Sequence, residues 1–204
     1  MSELGSKAGL QQRAARLGLL EHLPEHYASP EMASFPCIVK PTSGCAGRGV
    51  RLVQDAVEVV AALEANAADG QPLGPLLLQE WVPGPTEFAT SMVLRNGEIY
   101  AAATVIYEYD RPDYHWPSCH EVARRFPAAA DPRHLRVLRC FLADFSGVCN
   151  ANYKLNPRHE MRILEFNPRL GGDLGTDLPR ERAASMLSVL DALEAGTWTA
   201  KPLV

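Results

Sequence analysis

The spacing of apolar residues changes several times along the chain, and each change marks an element. Leu10, Ala14 and Leu17 recur at helical spacing and predict a helix over residues 4–20. Residues 24–36 are polar and irregular. Residues 36–40, PCIVK, read as a short apolar strand, and a second short strand is expected at 50–53 after a glycine-rich stretch. Asp55 is placed to cap a helix over 56–68, which Asp69-Gly70 would close. Residues 76–82 read as a buried strand. Residues 87–94 and 98–106 flank Asn96-Gly97, a strong hairpin signal. Residues 107–130 are rich in proline, aromatic and charged side chains and read as a long loop or lid. Pro132, following Asp131, opens a helix to about residue 145. Residues 148–155 and 161–166 form a second hairpin, and a last helix spans 180–195, ending near Gly196. Antiparallel hairpins that alternate with helices predict an α+β fold, not a series of βαβ units.

Composition narrows the class. The 204 residues are 47% apolar and 22% charged, which suits a folded protein with one core or two small lobes. A net charge of −4 argues against nucleic acid as a partner. No apolar run approaches the roughly 20 residues of a membrane span, and MSELGSKAGLQQ lacks the apolar core of a signal peptide. The five cysteines (Cys37, Cys45, Cys119, Cys140 and Cys149) are odd in number and form no CxxC pair. Free thiols in a reducing cytoplasm are the expectation. Cys119-His120 has no third residue at a suggestive spacing for a metal, and Cys45 sits in the glycine stretch.

Three stretches could carry chemistry. The first, KPTSGCAGRGV, runs from Lys40 to Val50. In a Walker-type loop the lysine follows the glycines and precedes Ser or Thr; here it precedes them at the end of a strand. The pattern reads as a strand–loop–strand flap whose N–H groups could cover a polyphosphate beside a fixed positive charge. It reads equally as a hairpin tip whose glycines serve turns. The second, RILEFNPRLGGD, runs from Arg162 to Asp173. Glu165 and Asn167 share one strand face, and Asn150, Asn152 and Lys154 share a face of the preceding strand. Folding the hairpin can set Asn152 beside Glu165, giving an oxygen cluster suited to Mg²⁺, with Arg169 within reach of a phosphate. The alternative is a solvated polar sheet face. The third, LLLQEWVPGPTEF, is a strand ending at Pro83-Gly84. Its end could read an adenine edge and Glu87 could bind ribose, or it is an ordinary strand and turn.

In this order, the lysine-led glycine flap, QEWVPG with Glu87, and the EFNPR hairpin resemble the ATP-grasp superfamily of carboxylate–amine ligases. The closest look is to its D-alanine–D-alanine ligase and carbamoyl-phosphate-synthetase-like branch, over residues 7–195. The resemblance implies two α+β lobes, with antiparallel sheets gripping ATP between them. Residues 1–80 would be the small lobe, with the N-terminal helix and flap; residues 81–204 would be the large lobe, with the metal-binding hairpin. Lys7 and Lys40 resemble the two nucleotide-contacting lysines. Ser43, Gly44, Gly47 and Gly49 belong to the flap. Gln79, Glu80, Trp81 and Val82 resemble the adenine-binding linker, and Glu87 the ribose-binding acid. Asn152, Glu165 and Asn167 resemble the ligands of Mg²⁺, with Mn²⁺ as an alternative ion. Arg169 resembles the arginine beside the transferred phosphate, and Gly171 and Gly172 the turn toward the acceptor. Arg124 and Arg125 are candidates to hold a substrate carboxylate, or form a salt-bridged pair at a loop.

The implied chemistry activates a carboxylate with ATP as an acyl phosphate and couples it to an amine of an amino acid or small peptide. Such transfer rests on positioning and charge neutralisation and needs no nucleophilic side chain. The sequence departs from the family at Asn152, where a longer or acidic ligand is more usual, and at Gln79, where an acid is frequent. The family also places a further domain ahead of the first lysine. A second copy of the chain or another subunit would supply it here. Two other readings stand beside the ligase: a nucleotide-binding module without catalysis of its own, and a phosphotransferase.

Overall fold

The structure, a computed structural model, describes residues 3–42, 49–68, 75–112 and 119–204. In chain order the elements are α1 (Lys7–Leu17), β1 (His26–Tyr27), β2 (Cys37–Pro41), β3 (Arg51–Val53), α2 (Ala56–Ala68), β4 (Leu76–Glu80) and β5 (Thr86–Arg95). Then follow β6 (Glu98–Tyr109), β7 (Glu121–Arg125), α3 (Pro132–Phe141), β8 (Gly147–Leu155), β9 (Met161–Asn167) and α4 (Arg180–Glu194). The strands form two antiparallel sheets, β1-β4-β2-β3 and β7-β6-β5-β8-β9. This is the α+β class that the alternation of hairpins and helices predicts. Among the described residues no helix is long and apolar enough to cross a membrane.

Alternation along β2 sorts the first sheet into two faces. Cys37 and Val39 pack with Val53, Val59 and Ala62 in a core under α2. Ile38 and Lys40 point the other way, and Ile38 stands opposite Gln79. Because β2 and β3 pair antiparallel, with Val39 opposite Arg51, the glycine stretch joins two neighbouring strands, as a flap would. Ser43, Gly44, Cys45 and Gly47 lie outside the described residues. Asp55 accepts from the Glu58 N–H at 2.9 Å, the capping bond that its position predicts.

The second sheet has a core on each face. On one, Met92, Tyr153, Ile163 and Phe166 meet Leu135, Leu138 and Phe141 of α3. On the other, Ala89, Val93 and Val105 meet Met186, Val189 and Leu193 of α4. The β5–β6 turn has Asn96 at φ 51° and Gly97 at φ 79°, the left-handed pair that a two-residue hairpin requires. A Cβ at Gly97 would also collide with the Ala143 carbonyl.

Several boundaries differ from expectation, beginning with the N-terminal helix, which spans Lys7–Leu17 and not 4–20. Residues 107–130 are not one long loop: β6 continues to Tyr109 and β7 pairs with it, Tyr107 opposite Arg124. β7 is a polar edge strand with no apolar alternation, so its sequence carries no strand signal. Residues 113–118 lie outside the described residues. The irregular segment 24–36 contains β1, too short for any period to show. β4 stops at Glu80, two residues early, ahead of Pro83. The helix after Pro132 ends at Phe141, where Leu142 closes a tighter turn onto the Arg139 carbonyl at 3.0 Å.

The N-terminal helix, grouped by the sequence reading with residues 1–80, packs on the second sheet. Leu10 and Ala14, with Leu4 and Leu23, join the core of the second sheet. Ser6 caps α1, accepting from the Gly9 N–H at 3.1 Å, and Gly18 ends it at φ 69°. Arg13 on this helix is 5% exposed and donates Nε to the Phe141 carbonyl at 2.6 Å while its guanidinium pairs with Asp144. Arg13→Met should therefore lower unfolding stability by about 1–3 kcal/mol, the cost of leaving a buried carbonyl unpaired. Asp144→Asn should cost under about 1 kcal/mol, because that carboxylate is exposed. Denaturant titration of both variants distinguishes the two.

Candidate functional site

The β8–β9 hairpin sets Asn152 opposite Glu165 and Asn150 opposite Asn167. A register shift follows: Tyr153 pairs with Ile163, so Leu164 is an extra residue on β9. This bulge keeps Glu165 and Asn167 on the polar face while Ile163 still enters the α3 core. Asn167 Nδ2 donates to Glu165 Oε1 at 2.9 Å, and Asn152 Nδ2 donates to Glu87 Oε1 at 2.9 Å. Glu87 thus stands beside the paired strands. Lys154 Nζ donates to the Gly84 carbonyl at 2.5 Å, tying β8 to the segment between the sheets. Burial lowers the Lys154 pKa to about 8, against the pull of Glu87.

Two ammonium groups converge on the same carboxylate from separate elements. Lys7 begins α1, and Lys40 ends the inward face of β2. Burial lowers the pKa of Lys7, and the charge of Glu165 opposes that shift. Lys40 is 8% exposed, and its pKa falls to about 8, first by burial and then by repulsion from Lys7, again against Glu165. The cleft containing both lysines is also lined by Gln11, His26, Gln79 and Leu164. His26 lies directly across from Gln79 in the β1–β4 pairing. Its pKa is pushed down to about 4 by burial and then by Lys40, while a hydrogen bond with Gln79 acts the other way. His26 is therefore neutral near pH 7. Sequence reasoning missed it, because a two-residue strand leaves no pattern.

The remaining candidates divide. Gln79 lies in the cleft, but the Glu80 side chain turns out of it, accepting from the Glu25 N–H at 3.1 Å and facing Arg162 Nε at 3.7 Å. Trp81 is half-buried and Val82 buried in the segment that follows. Gly49 has φ 75°, a left-handed position at the end of the flap. Arg169 is exposed, with Nη1 donating to the Leu170 carbonyl at 2.9 Å. Arg124 pairs with Glu121 at 2.7 Å and Asp177 at 2.8 Å and lies over the Tyr107 ring, while Arg125 pairs with Glu108 at 2.5 Å. Both arginines are thus engaged in ion pairs within the protein.

Gly171 sits where a Cβ would strike the Asp173 carboxylate, and Gly172 has open space around it. Asp173 accepts from Ser91 Oγ and Asn150 Nδ2, each at 2.8 Å, and burial raises its pKa. Asp177 accepts from the Tyr107 hydroxyl at 2.7 Å. This buried network beside the hairpin also escaped the sequence reading. Its only trace was the aspartate closing RLGGD.

The donor set suits a hard divalent cation. Glu165 supplies one carboxylate. Asn152 and Asn167 spend their amide nitrogens on carboxylates, which leaves their carbonyl oxygens as ligands. Among the described residues no group of three or more His, Cys, Asp or Glu could hold a metal. A site with one protein charge needs further anionic oxygens, such as those of phosphates, to bind Mg²⁺ firmly.

No family model matches the chain. Solved structures do. The L-amino acid ligase from Bacillus licheniformis superimposes with a TM-score of 0.69 at 16% identity over 98% of this chain and 52% of its own. The D-alanine–D-alanine ligase from Bacillus anthracis gives 0.61 at 16% identity, over 93% and 64%. The biotin carboxylase domain of the Hydrogenobacter thermophilus 2-oxoglutarate carboxylase, in complex with MgADP and bicarbonate, gives 0.60 at 16% identity, over 98% and 47%. The chain thus spans about half to two-thirds of the length of these proteins. The shared architecture is the ATP-grasp fold.

The depressed Lys40 has a consequence for stability. Its pKa in the folded protein, about 8, lies below the ordinary lysine value of 10.5, so the folded state disfavours its charge at neutral pH. Lys40→Met should raise the thermal midpoint at pH 7. That gain should shrink as pH rises from about 8 to 10.5, because the folded lysine is then already neutral while the unfolded one is losing its proton. Scanning calorimetry at the two pH values measures both.

Proposed function

We propose that the chain carries the ATP site of a ligase that activates a carboxylate as an acyl phosphate and couples it to an amine. The observation that carries this reading is the convergence of Lys7, Lys40 and Glu165 from α1, β2 and β9. One buried and one half-buried ammonium group, both with lowered pKa values, would gain from an anion between them, and a polyphosphate supplies one. The apolar Leu164 and the amide of Gln79 in the same cleft suit the face and edge of a base.

Glu165, Asn152 and Asn167 would hold Mg²⁺, which would neutralise the charge on the phosphate oxygens. Lys40 and Lys7 would position the phosphates, and Arg169, exposed just beyond β9, would steady the transferred group. A carboxylate oxygen of the substrate attacks the γ-phosphorus, and ADP leaves. The amine nitrogen then attacks the acyl carbon, phosphate leaves, and the amine loses a proton. The flap between β2 and β3, closing over the phosphates, would keep water from the acyl phosphate. The second substrate is an amino acid or small peptide in this reading, in keeping with the ligases that share the fold.

A nucleotide-binding module without its own catalysis is the second reading, favoured by the single carboxylate at the metal position. One experiment separates the two. The full chain with ATP, Mg²⁺ and pooled amino acids should release phosphate and, with hydroxylamine, form a hydroxamate. Glu165→Gln should abolish that turnover and leave the fold intact by circular dichroism. Nucleotide binding without turnover under any acceptor supports the module, and unchanged turnover in Glu165→Gln refutes the metal assignment. The affinity for ATP should also fall as pH rises past about 8, because Lys40 then loses the charge that phosphate stabilises. Titrations on either side of that pH measure it.

A further inference from the structure

Arg169 stands in a loop that apolar packing holds weakly. Arg169, Leu170 and Gly172 are exposed, and only Gly171 among them is buried. Two bonds shape the loop from within. The Arg169 N–H donates to the Asn167 carbonyl at 2.8 Å, and its Nη1 donates to the Leu170 carbonyl at 2.9 Å. The direction of the guanidinium therefore follows the course of residues 167–171. Asp173 ties that course to the sheet. Ser91, Asn150 and Asn167 are direct neighbours across β5, β8 and β9. The chain leaves this row at Asn167 and returns to it at Asp173, whose Oδ2 accepts from Ser91 Oγ and Asn150 Nδ2, each at 2.8 Å. The backbone N–H groups of residues 173 and 174 bond the same carboxylate. These partners are all donors, a setting that an amide, with a donor of its own, cannot fill.

We propose that Asp173 is a positioning residue for Arg169: by closing the loop onto Ser91 and Asn150, it sets where the guanidinium meets the terminal phosphate of a bound nucleoside triphosphate. The inference rests on the reading of the hairpin end as a phosphate site. Asp173 touches no ligand in this assignment and acts through the loop alone. A second aspartate, Asp177, fastens the following turn to Tyr107 and Arg124, so the chain beyond Asp173 keeps its own hold on the sheet. A nucleoside diphosphate lacks the phosphate that Arg169 would meet, so loosening the loop leaves its affinity alone. A general weakening of the hairpin would reach both nucleotides through Glu165 and Asn167.

The test is isothermal titration of the full chain, in Mg²⁺, with ATP and with ADP. The parent protein should bind ATP on the order of tenfold more tightly, the worth of a charge-assisted bond to the terminal phosphate. Asp173→Asn should lower the ATP affinity about tenfold and change the ADP affinity by less than about twofold. Arg169→Ala should do the same. Adding Asp173→Asn to it should cost less than about twofold more, because two residues that act through one contact do not add. Ser91→Ala removes one donor to the carboxylate and decides the matter if the asparagine variant does not fold. A loss of about threefold for ATP alone supports the proposal, and no loss overturns it. Equal affinities in the parent, a parallel loss for both nucleotides, or a further tenfold loss in the double variant also overturns it. Unchanged ATP affinity in Asp173→Asn does so too and leaves the nucleotide site standing. Failure of the parent to bind either nucleotide overturns the site and this inference together.

Discussion

The geometry of the site depends on the mutual placement of two like charges. Lys7 and Lys40 repel each other across a cleft that also strips them of water, and a single carboxylate, Glu165, partly compensates. Left alone, such a pair is a cost to folding. The fold meets it by mounting each charge on a separately stabilised element. Lys40 is carried by β2, whose other face is buried under α2. Lys7 is carried by α1, which Arg13 fastens to the end of α3 and Leu10 and Ala14 anchor in the second core. Glu165 is carried by β9, held by a full antiparallel pairing with β8.

The bulge at Leu164 reconciles two demands on one strand. With strict alternation, Glu165 and Ile163 would share a face, and either the carboxylate would enter the α3 core or Ile163 would leave it. One extra residue breaks the alternation between them. Leu164 itself then lines the cleft, so the irregularity that aims the carboxylate also supplies apolar surface next to the lysines. The same face carries Lys154, whose bond to the Gly84 carbonyl holds the segment joining the two sheets. Aim and anchorage thus come from adjacent residues of one hairpin.

Much of this was legible in the sequence because it rests on local rules. Period-two spacing set Glu165 and Asn167 together and placed Asn152 across from Glu165, and the hairpin turn at Asn96-Gly97 follows from its left-handed backbone. The lysine before the glycines marked the end of one strand and the start of the link to its antiparallel neighbour. What escaped was non-local. β7 is a polar edge strand whose only justification is the neighbour it pairs with, so Arg124 read as an open cation instead of a partner of Glu121 and Asp177. His26 is recruited by a two-residue pairing, and Asp173 by side chains of β5 and β8 that are 82 and 23 residues away in sequence. The helix at the N-terminus showed its apolar stripe but not which sheet would receive it.

That last point changes how the cleft is built. An α1 packed on the first sheet would move with Lys40. Packed on the second, it moves with Glu165 and forms a wall facing the sheet that bears Lys40. Among the described residues Glu80 of the first sheet faces Arg162 of the second at 3.7 Å. A shift of one sheet against the other would alter the lysine–lysine separation, and with it the repulsion that adds to burial in lowering the Lys40 pKa. An anion bound between them reverses the sign of that coupling. Repulsion that favours an open cleft becomes shared attraction to one ligand. If the cleft is a nucleotide site, a polyanion bound between the two lysines would favour both their approach and the protonation of Lys40.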